Sequence, residues 1–132
     1  MTEASDSTSH EFTPGLDGWI THTDLVSTDP AATRRFCERV FGWTFRPPFP
    51  SPMGEYHLFA YSAVGGGGIG KGTPPDQPGS TPFVHVANAQ AAYDLALREG
   101  AQSIAKPERV MEGVTIAVIR APGGVTIGLS GP

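Results

Sequence analysis

The stretch W-I-T-H-T-D-L-V-S-T-D-P-A-A-T-R-R-F-C-E-R-V-F-G-W, Trp19 to Trp43, decides how the fold is read. Its first eight residues, Trp19–Val26, predict a strand with one largely buried face. Side chains alternate along a strand, so His22 and Asp24 share a side. Ser27-Thr28-Asp29-Pro30 then announces a helix. The Asp29 carboxylate can accept from the free amides of a first turn, and Pro30 suits the first helical position because its missing amide costs nothing there. Ala32, Phe36 and Val40 recur at i, i+4 and i+8 and predict the buried face of a helix over Pro30–Phe41. Arg34, Arg35, Glu38 and Arg39 fall on the other, solvated faces, and Gly42 stops the helix.

The same order is written again at an offset of 59 residues, which superposes Asp29 on Asn88, Ala32 on Ala91 and Phe36 on Leu95. Thr81–Ala87 (TPFVHVA) predicts a strand. Asn88 is a second N-cap, and Ala89–Glu99 a second helix that buries Ala92, Leu95 and Ala96 before Gly100 ends it. Strand candidates follow each helix. After the first come WTFRP (Trp43–Pro47), EYHLFAYSAV (Glu55–Val64) and the less clear GGGGIGKG (Gly65–Gly72). After the second come SIAKP, GVTIAVIR and VTIGL, separated by Pro107, Met111–Gly113 and Pro122–Gly124. Each half reads strand–helix–strand–strand–strand. The glycine run is expected to be a flexible connection on the sheet rim, near a ligand. It is not a phosphate loop, because no Lys-Ser/Thr pair follows it and no helix starts there.

Composition bounds the function classes. With 132 residues the default is one domain. The 17 glycines and 13 prolines lie mostly between apolar runs, as turn residues do. Residues 1–15 are polar and aperiodic and are expected to be a disordered tail. Residues 16–132 are expected to form the single domain, with modules at 18–72 and 81–130 joined by the Pro-rich linker Thr73–Ser80. A net charge of −4 argues against nucleic acid as a partner. One cysteine excludes an internal disulfide framework and a thiolate-only zinc site. There is no apolar run long enough to span a membrane and no secretory leader pattern, so the expected setting is cytoplasmic.

A tandem βαβββ chain of this length resembles the vicinal oxygen chelate superfamily, which includes glyoxalase I, bleomycin-resistance proteins and extradiol dioxygenases. His22–Trp43 is similar to the family's opening strand and helix, and A-P-G-G-V-T-I-G-L (Ala121–Leu129) to its closing strand. The glycine run and K-P-E-R-V-M-E-G-V (Lys106–Val114) resemble its uncharacterised lyase-related branch. The resemblance covers roughly Gly18–Ser130 and implies an α+β fold, two βαβββ modules forming a U-shaped, partly open barrel with the site in its concavity. It also implies four positions that hold a divalent ion in metal-using relatives. These fall on His22, on the glycine run around Gly67, on Thr81 by the same offset, and on Gly128. Only His22 is a metal-binding residue type, and one imidazole, even joined by His85, makes a poor site for Mg, Mn or Fe. The expectation is therefore no metal and no other cofactor, and true glyoxalase I activity is disfavoured.

The residues expected to matter line that concavity. His22, Asp24 and His85 are the candidate acid–base groups, since a carboxylate or imidazole in a partly apolar cavity is poised for proton transfer. Thr81, Phe83, Tyr56 and Gly128 are the candidate ligand-binding residues, with Phe83 placed by alternation between Thr81 and His85 to stack on a flat ligand. Each has a structural counterpart: His22 and His85 as buried imidazoles bonded to neighbouring groups, the aromatics as core. His57 lies on the strand face opposite Tyr56 and Leu58, and Cys37 reads as a small buried hydrophobe. An accessory module whose partner does the chemistry is neither supported nor excluded by the sequence, and two functions have residues in their favour. One is a small-molecule-binding protein like the antibiotic-sequestering relatives, taking an aromatic or carbonyl-containing ligand. The other is a lyase or isomerase acting on a small carbonyl compound. A homodimer is expected, because an open sheet has edges that need covering.

Overall fold

The structure is a computed structural model that describes residues 16–51, 54–72 and 78–132. The expected tail lies outside the described residues, as do residues 73–77 of the linker. In chain order the elements are β1 (Ile20–Val26), α1 (Pro30–Phe41), β2 (Thr44–Phe45), β3 (Phe49–Ser51), β4 (Gly54–Ala60), β5 (Gly66–Gly70), β6 (Gly79–His85), α2 (Ala89–Arg98), β7 (Gln102–Met111), β8 (Val114–Arg120) and β9 (Thr126–Gly131). The strands make one mixed, open sheet in the order β2-β4-β5-β1-β6-β9-β8-β7, with the short β3 paired to β4 outside that path. This is an α+β fold, one strand richer than the two-by-four reading of the sequence.

The order is palindromic about a central seam. β1 and β6 pair antiparallel there, and each pairs on its other side with the last strand of its own half, parallel in both cases: β1 with β5, β6 with β9. Parallel strands need a crossover, and each half supplies one that contains its helix. Asp29 and Asn88 cap those helices identically, each side chain accepting from the amide three residues on, Ala32 at 3.1 Å and Ala91 at 2.8 Å. Gly42 ends α1 in the left-handed conformation, φ 71°, with its amide donating to the Glu38 carbonyl.

Both helices pack on the same face of the sheet. Under α2 the core is Tyr93, Ala117, Ile119 and Leu129, with Ala92 and Ala96 beside them. Leu95, expected inside, is half exposed. α1 departs further from its sequence pattern. Phe36, Val40 and Phe41 are more than half exposed, and Cys37 is the buried residue of that helix. The stripe that meets the sheet is Thr33, Arg34 and Cys37, turned by about one residue, or 100°, from the predicted one. Arg34 is thus not a solvated residue. Its Nη1 donates to the Arg46 carbonyl at 3.0 Å and to His57 Nδ1 at 3.2 Å, and its guanidinium lies 5.0 Å from the Phe45 ring centroid. Its Nε also donates to Glu38 Oε2 at 3.4 Å, and a charged residue can face a sheet when its inward donors find acceptors in this way. His57 is 3% exposed.

Three further expectations are corrected. The glycine run is not a flexible rim: Gly66–Gly70 is β5, a nearly buried interior strand between β4 and β1. Pro107 does not separate two strands. β7 runs through it as an edge strand, where a missing amide leaves no ladder bond unmade, and its register with β8 shifts on both sides. β6 begins at Gly79, inside the expected linker.

Candidate functional site

Register decides which side chains meet. Across the seam His22 is the partner of Phe83 and Asp24 that of Thr81, so all four project from the face that the helices leave free. On the flanks, His22 pairs with Gly66, Asp24 with Gly68, and Phe83 with Gly128, which puts those glycines on the same face. Gly67 is therefore not the position facing the site. A Cβ there would run into the Thr23 carbonyl and the Phe59 ring on the helix side. The helix-free side of β5 belongs to Gly66, Gly68 and Gly70.

Those glycines make room for Tyr56. Alternation along β4 puts His57 and Phe59 under α1 and Tyr56 on the helix-free face. The Tyr56 ring lies over Gly68 and Gly70, and a Cβ on Gly68 would collide with the phenol. On the other side of the seam Phe83 lies over Gly128 in the same manner. Each half thus has an aromatic ring seated on a glycine of its last strand.

From its seat the Tyr56 hydroxyl donates to Asp24 Oδ1 at 2.5 Å and stands 3.3 Å from His22 Nε2. His22 Nε2 is 4.0 Å from the same carboxylate oxygen, and the His22 ring meets Phe83 edge-on, centroids 5.7 Å apart. Burial holds the His22 pKa below the ordinary histidine value, with the Asp24 charge pulling the other way. The Tyr56 phenol is pushed well above its ordinary value, first by burial, then by its hydrogen bond to Asp24 and by that residue's charge. It remains a proton donor at any working pH. Burial raises the Cys37 pKa too, which suits an inert core thiol.

An open pocket of about 290 Å³ adjoins this group, lined by His22, Arg46, Leu58, Ala60, Val64 and Gly66 among others. Arg46 is a lining residue that periodicity had no means of indicating. The remaining candidates are less connected. Thr81 is on the face, opposite Asp24. His85 lies at the far end of β6, level with Ser130, and its backbone is tied to Gly18 and Trp19. No hydrogen bond joins its ring to His22, Asp24 or Tyr56.

The four positions at which metal-using relatives hold an ion do not fit one here. His22 donates nitrogen, but Thr81, Gly66 or Gly68, and Gly128 supply neither imidazole nor carboxylate. The Tyr56 and Phe83 rings cover the space that side chains at Gly68 and Gly128 would need. Among the described residues no three His, Cys, Asp or Glu side chains come together in a metal-binding group.

No family model matches the sequence. The chain is 25% identical over 125 residues to a protein of Mycobacterium bovis provisionally named glyoxylase CFP32, and equally to its Mycobacterium tuberculosis counterpart. The alignment takes in 90% of this chain and 46% of theirs, so the chain spans about half the length of these relatives. Methylmalonyl-CoA epimerase from Mycobacterium tuberculosis superposes with a TM-score of 0.70 at 16% identity, covering 93% of each chain. The Streptomyces coelicolor epimerase carrying Q60A, solved with 2-nitronate-propionyl-CoA, superposes with a TM-score of 0.66 at 17% identity, covering 88% of this chain and 97% of that one. The chain has the glyoxalase-like fold of the vicinal oxygen chelate superfamily, and its sequence likeness to a glyoxylase-named protein supports a place in that superfamily.

Proposed function

We propose that the helix-free face binds a small carbonyl-containing molecule, aromatic or thioester in character, without a resident metal. The observation that carries this reading is the conjunction of the His22–Tyr56–Asp24 group with the Phe83 ring and an apolar pocket that opens beside His22. Small-molecule sites have this make-up, an apolar wall with a few convergent polar groups. The Streptomyces coelicolor epimerase, which shares the fold, holds an acyl-CoA analogue. A second reading is a lyase or isomerase acting on such a ligand. It is favoured by a histidine kept neutral by burial and hydrogen-bonded at one nitrogen only, which suits proton abstraction beside a carbonyl. The proposed assembly is a homodimer, with the exposed Phe36, Val40 and Phe41 as the apolar surface available to a second copy. The proposed setting is cytoplasmic, in keeping with one buried, free cysteine.

Calorimetric titration with methylmalonyl-CoA, with the hemithioacetal of methylglyoxal and glutathione, and with small aromatic aldehydes tests the binding. His22→Ala and Phe83→Ala are each expected to weaken whatever binds. If a probe binds the wild type and both variants bind it equally well, the site lies elsewhere. Loss of α-deuterium from a bound probe into water, abolished in His22→Ala, would establish the second reading over simple binding.

A further inference from the structure

A hydroxyl has one proton to give, and Tyr56 gives its proton to Asp24 Oδ1. Towards His22 Nε2, 3.3 Å away, the phenol oxygen is left only as an acceptor. The contact is therefore a hydrogen bond only when Nε2 carries the ring proton. A neutral imidazole has one N–H, so Nδ1 has the lone pair. Nδ1 has no hydrogen-bond partner among the described residues, and no buried side-chain nitrogen or oxygen there lacks one. Nδ1 is consequently open to solvent, on a residue that lines the pocket.

We propose that Asp24, acting through Tyr56, selects the Nε2–H tautomer of His22 and so makes Nδ1 the proton-accepting atom of the site. Asp24 and Tyr56 are positioning residues in this scheme, and His22 is the group that meets the ligand. For a ligand with a C–H beside a carbonyl, that bond breaks and an Nδ1–H bond forms. The C–H electron pair moves onto the carbonyl oxygen as an enolate; the proton on Nδ1 exchanges with water, and a solvent-derived proton returns from Nδ1 to that carbon, so the net change is exchange of the α-hydrogen. The imidazolium formed meanwhile has its Nε2–H on the Tyr56 oxygen and the Asp24 charge 4.0 Å away. Gly68 is part of the device, since a side chain there would push the phenol off both partners. The ligand chemistry rests on the function proposed above, whereas the tautomer is a property of the free protein and is measured without any ligand.

Two-bond nitrogen–proton correlation spectra of the whole chain, labelled at histidine, read the tautomer directly, with His22→Asn identifying the His22 signals. The expected wild-type result is the Nε2–H form. In Asp24→Ala the phenol loses its acceptor and turns its proton onto Nε2, so the ring proton is expected to move to Nδ1. Asp24→Asn keeps a carbonyl oxygen for the phenol and is expected to keep Nε2–H. A wild-type His22 that is Nδ1–H or an even mixture overturns the proposal, and so does an Asp24→Ala variant that stays Nε2–H. Should Asp24→Ala fail to fold, the wild-type spectrum and Asp24→Asn still decide the matter. Failure of every carbonyl probe to bind would count against the proposed function and leave the tautomer result standing.

Discussion

The ring of Tyr56 lies across Gly68, its hydroxyl in the space that a Cβ on that glycine would occupy, and from there it reaches Asp24, thirty-two positions away in the chain. The glycines of β5 are thus distinguished by what covers each of them. Gly68 is covered by a side chain, whereas Gly67 abuts the backbone carbonyl of Thr23 on the opposite face. A ring can swing aside, at the cost of its hydrogen bond, but a strand in the middle of a sheet cannot. Gly67→Ala is therefore expected to destabilise the fold by about 3 kcal/mol or more, and Gly68→Ala by about 1–2 kcal/mol. Urea unfolding midpoints rank the two, and the reverse order would contradict the assignment of faces.

Arg34 and His57 form the polar link between α1 and β4. Arg34→Met keeps the aliphatic stem but leaves His57 Nδ1 and the Arg46 carbonyl without their donor. The expected loss is about 1–3 kcal/mol, the usual cost of stranding a buried acceptor. Adding His57→Phe removes one of the stranded groups, so the double variant is expected to lose less than the sum of the single changes. A double-mutant cycle by chemical denaturation measures that coupling.

The two caps are expected to behave as equals. Asp29→Ala and Asn88→Ala each remove the acceptor for one first-turn amide, Ala32 or Ala91, and each is expected to cost about 1 kcal/mol. The caps serve different helices and share no partner, so their effects should add to within about 0.5 kcal/mol, as unfolding free energies of the double variant would show.

Stability should carry the signature of His22. Burial lowers its pKa, so the folded chain takes up a proton there less readily than the unfolded chain does. The unfolded state binds more protons between the folded value and the ordinary 6.5, and stability falls as pH drops through that window. Above the ordinary value both states are neutral at this residue and the effect vanishes. His22→Gln is therefore expected to lose less stability than the wild type between about pH 7.5 and about pH 5. Urea midpoints at the two pH values supply the comparison, and equal losses would mean that His22 is not held neutral by the fold.

The apolar face of α1 bears on assembly. Phe36 and Phe41 are in edge-on contact with each other, 5.9 Å between centroids, while more than half exposed. Light scattering is expected to give twice the mass of one chain, and Phe36→Ser with Phe41→Ser to give a single chain. A monomeric wild type at micromolar concentration would remove the dimer from the proposed function.

Local chemistry made a large part of this molecule legible. An Asp or Asn three residues before an unpaired amide caps a helix wherever that helix is placed, and so the positions of both helices, their repetition at a fixed offset and the order of elements were readable from short stretches. Strand alternation likewise put His22 with Asp24, and Thr81 with Phe83, before any pairing was known. What the sequence left open depends on contacts between distant segments. The apolar stripe of α1 predicted its buried face, yet the sheet meets Thr33, Arg34 and Cys37, because the acceptors offered by His57 and Arg46 let an arginine lie beneath the helix. Five residues rich in glycine read as a weak connection, since only Ile69 among them has a side chain to bury. They form an interior strand because β1, β4 and the ring of Tyr56 approach more closely than any larger residue would permit. The link between Tyr56 and Asp24 has no local signal at all, and the register of β4, β5 and β1 alone brings those two side chains within one hydrogen bond.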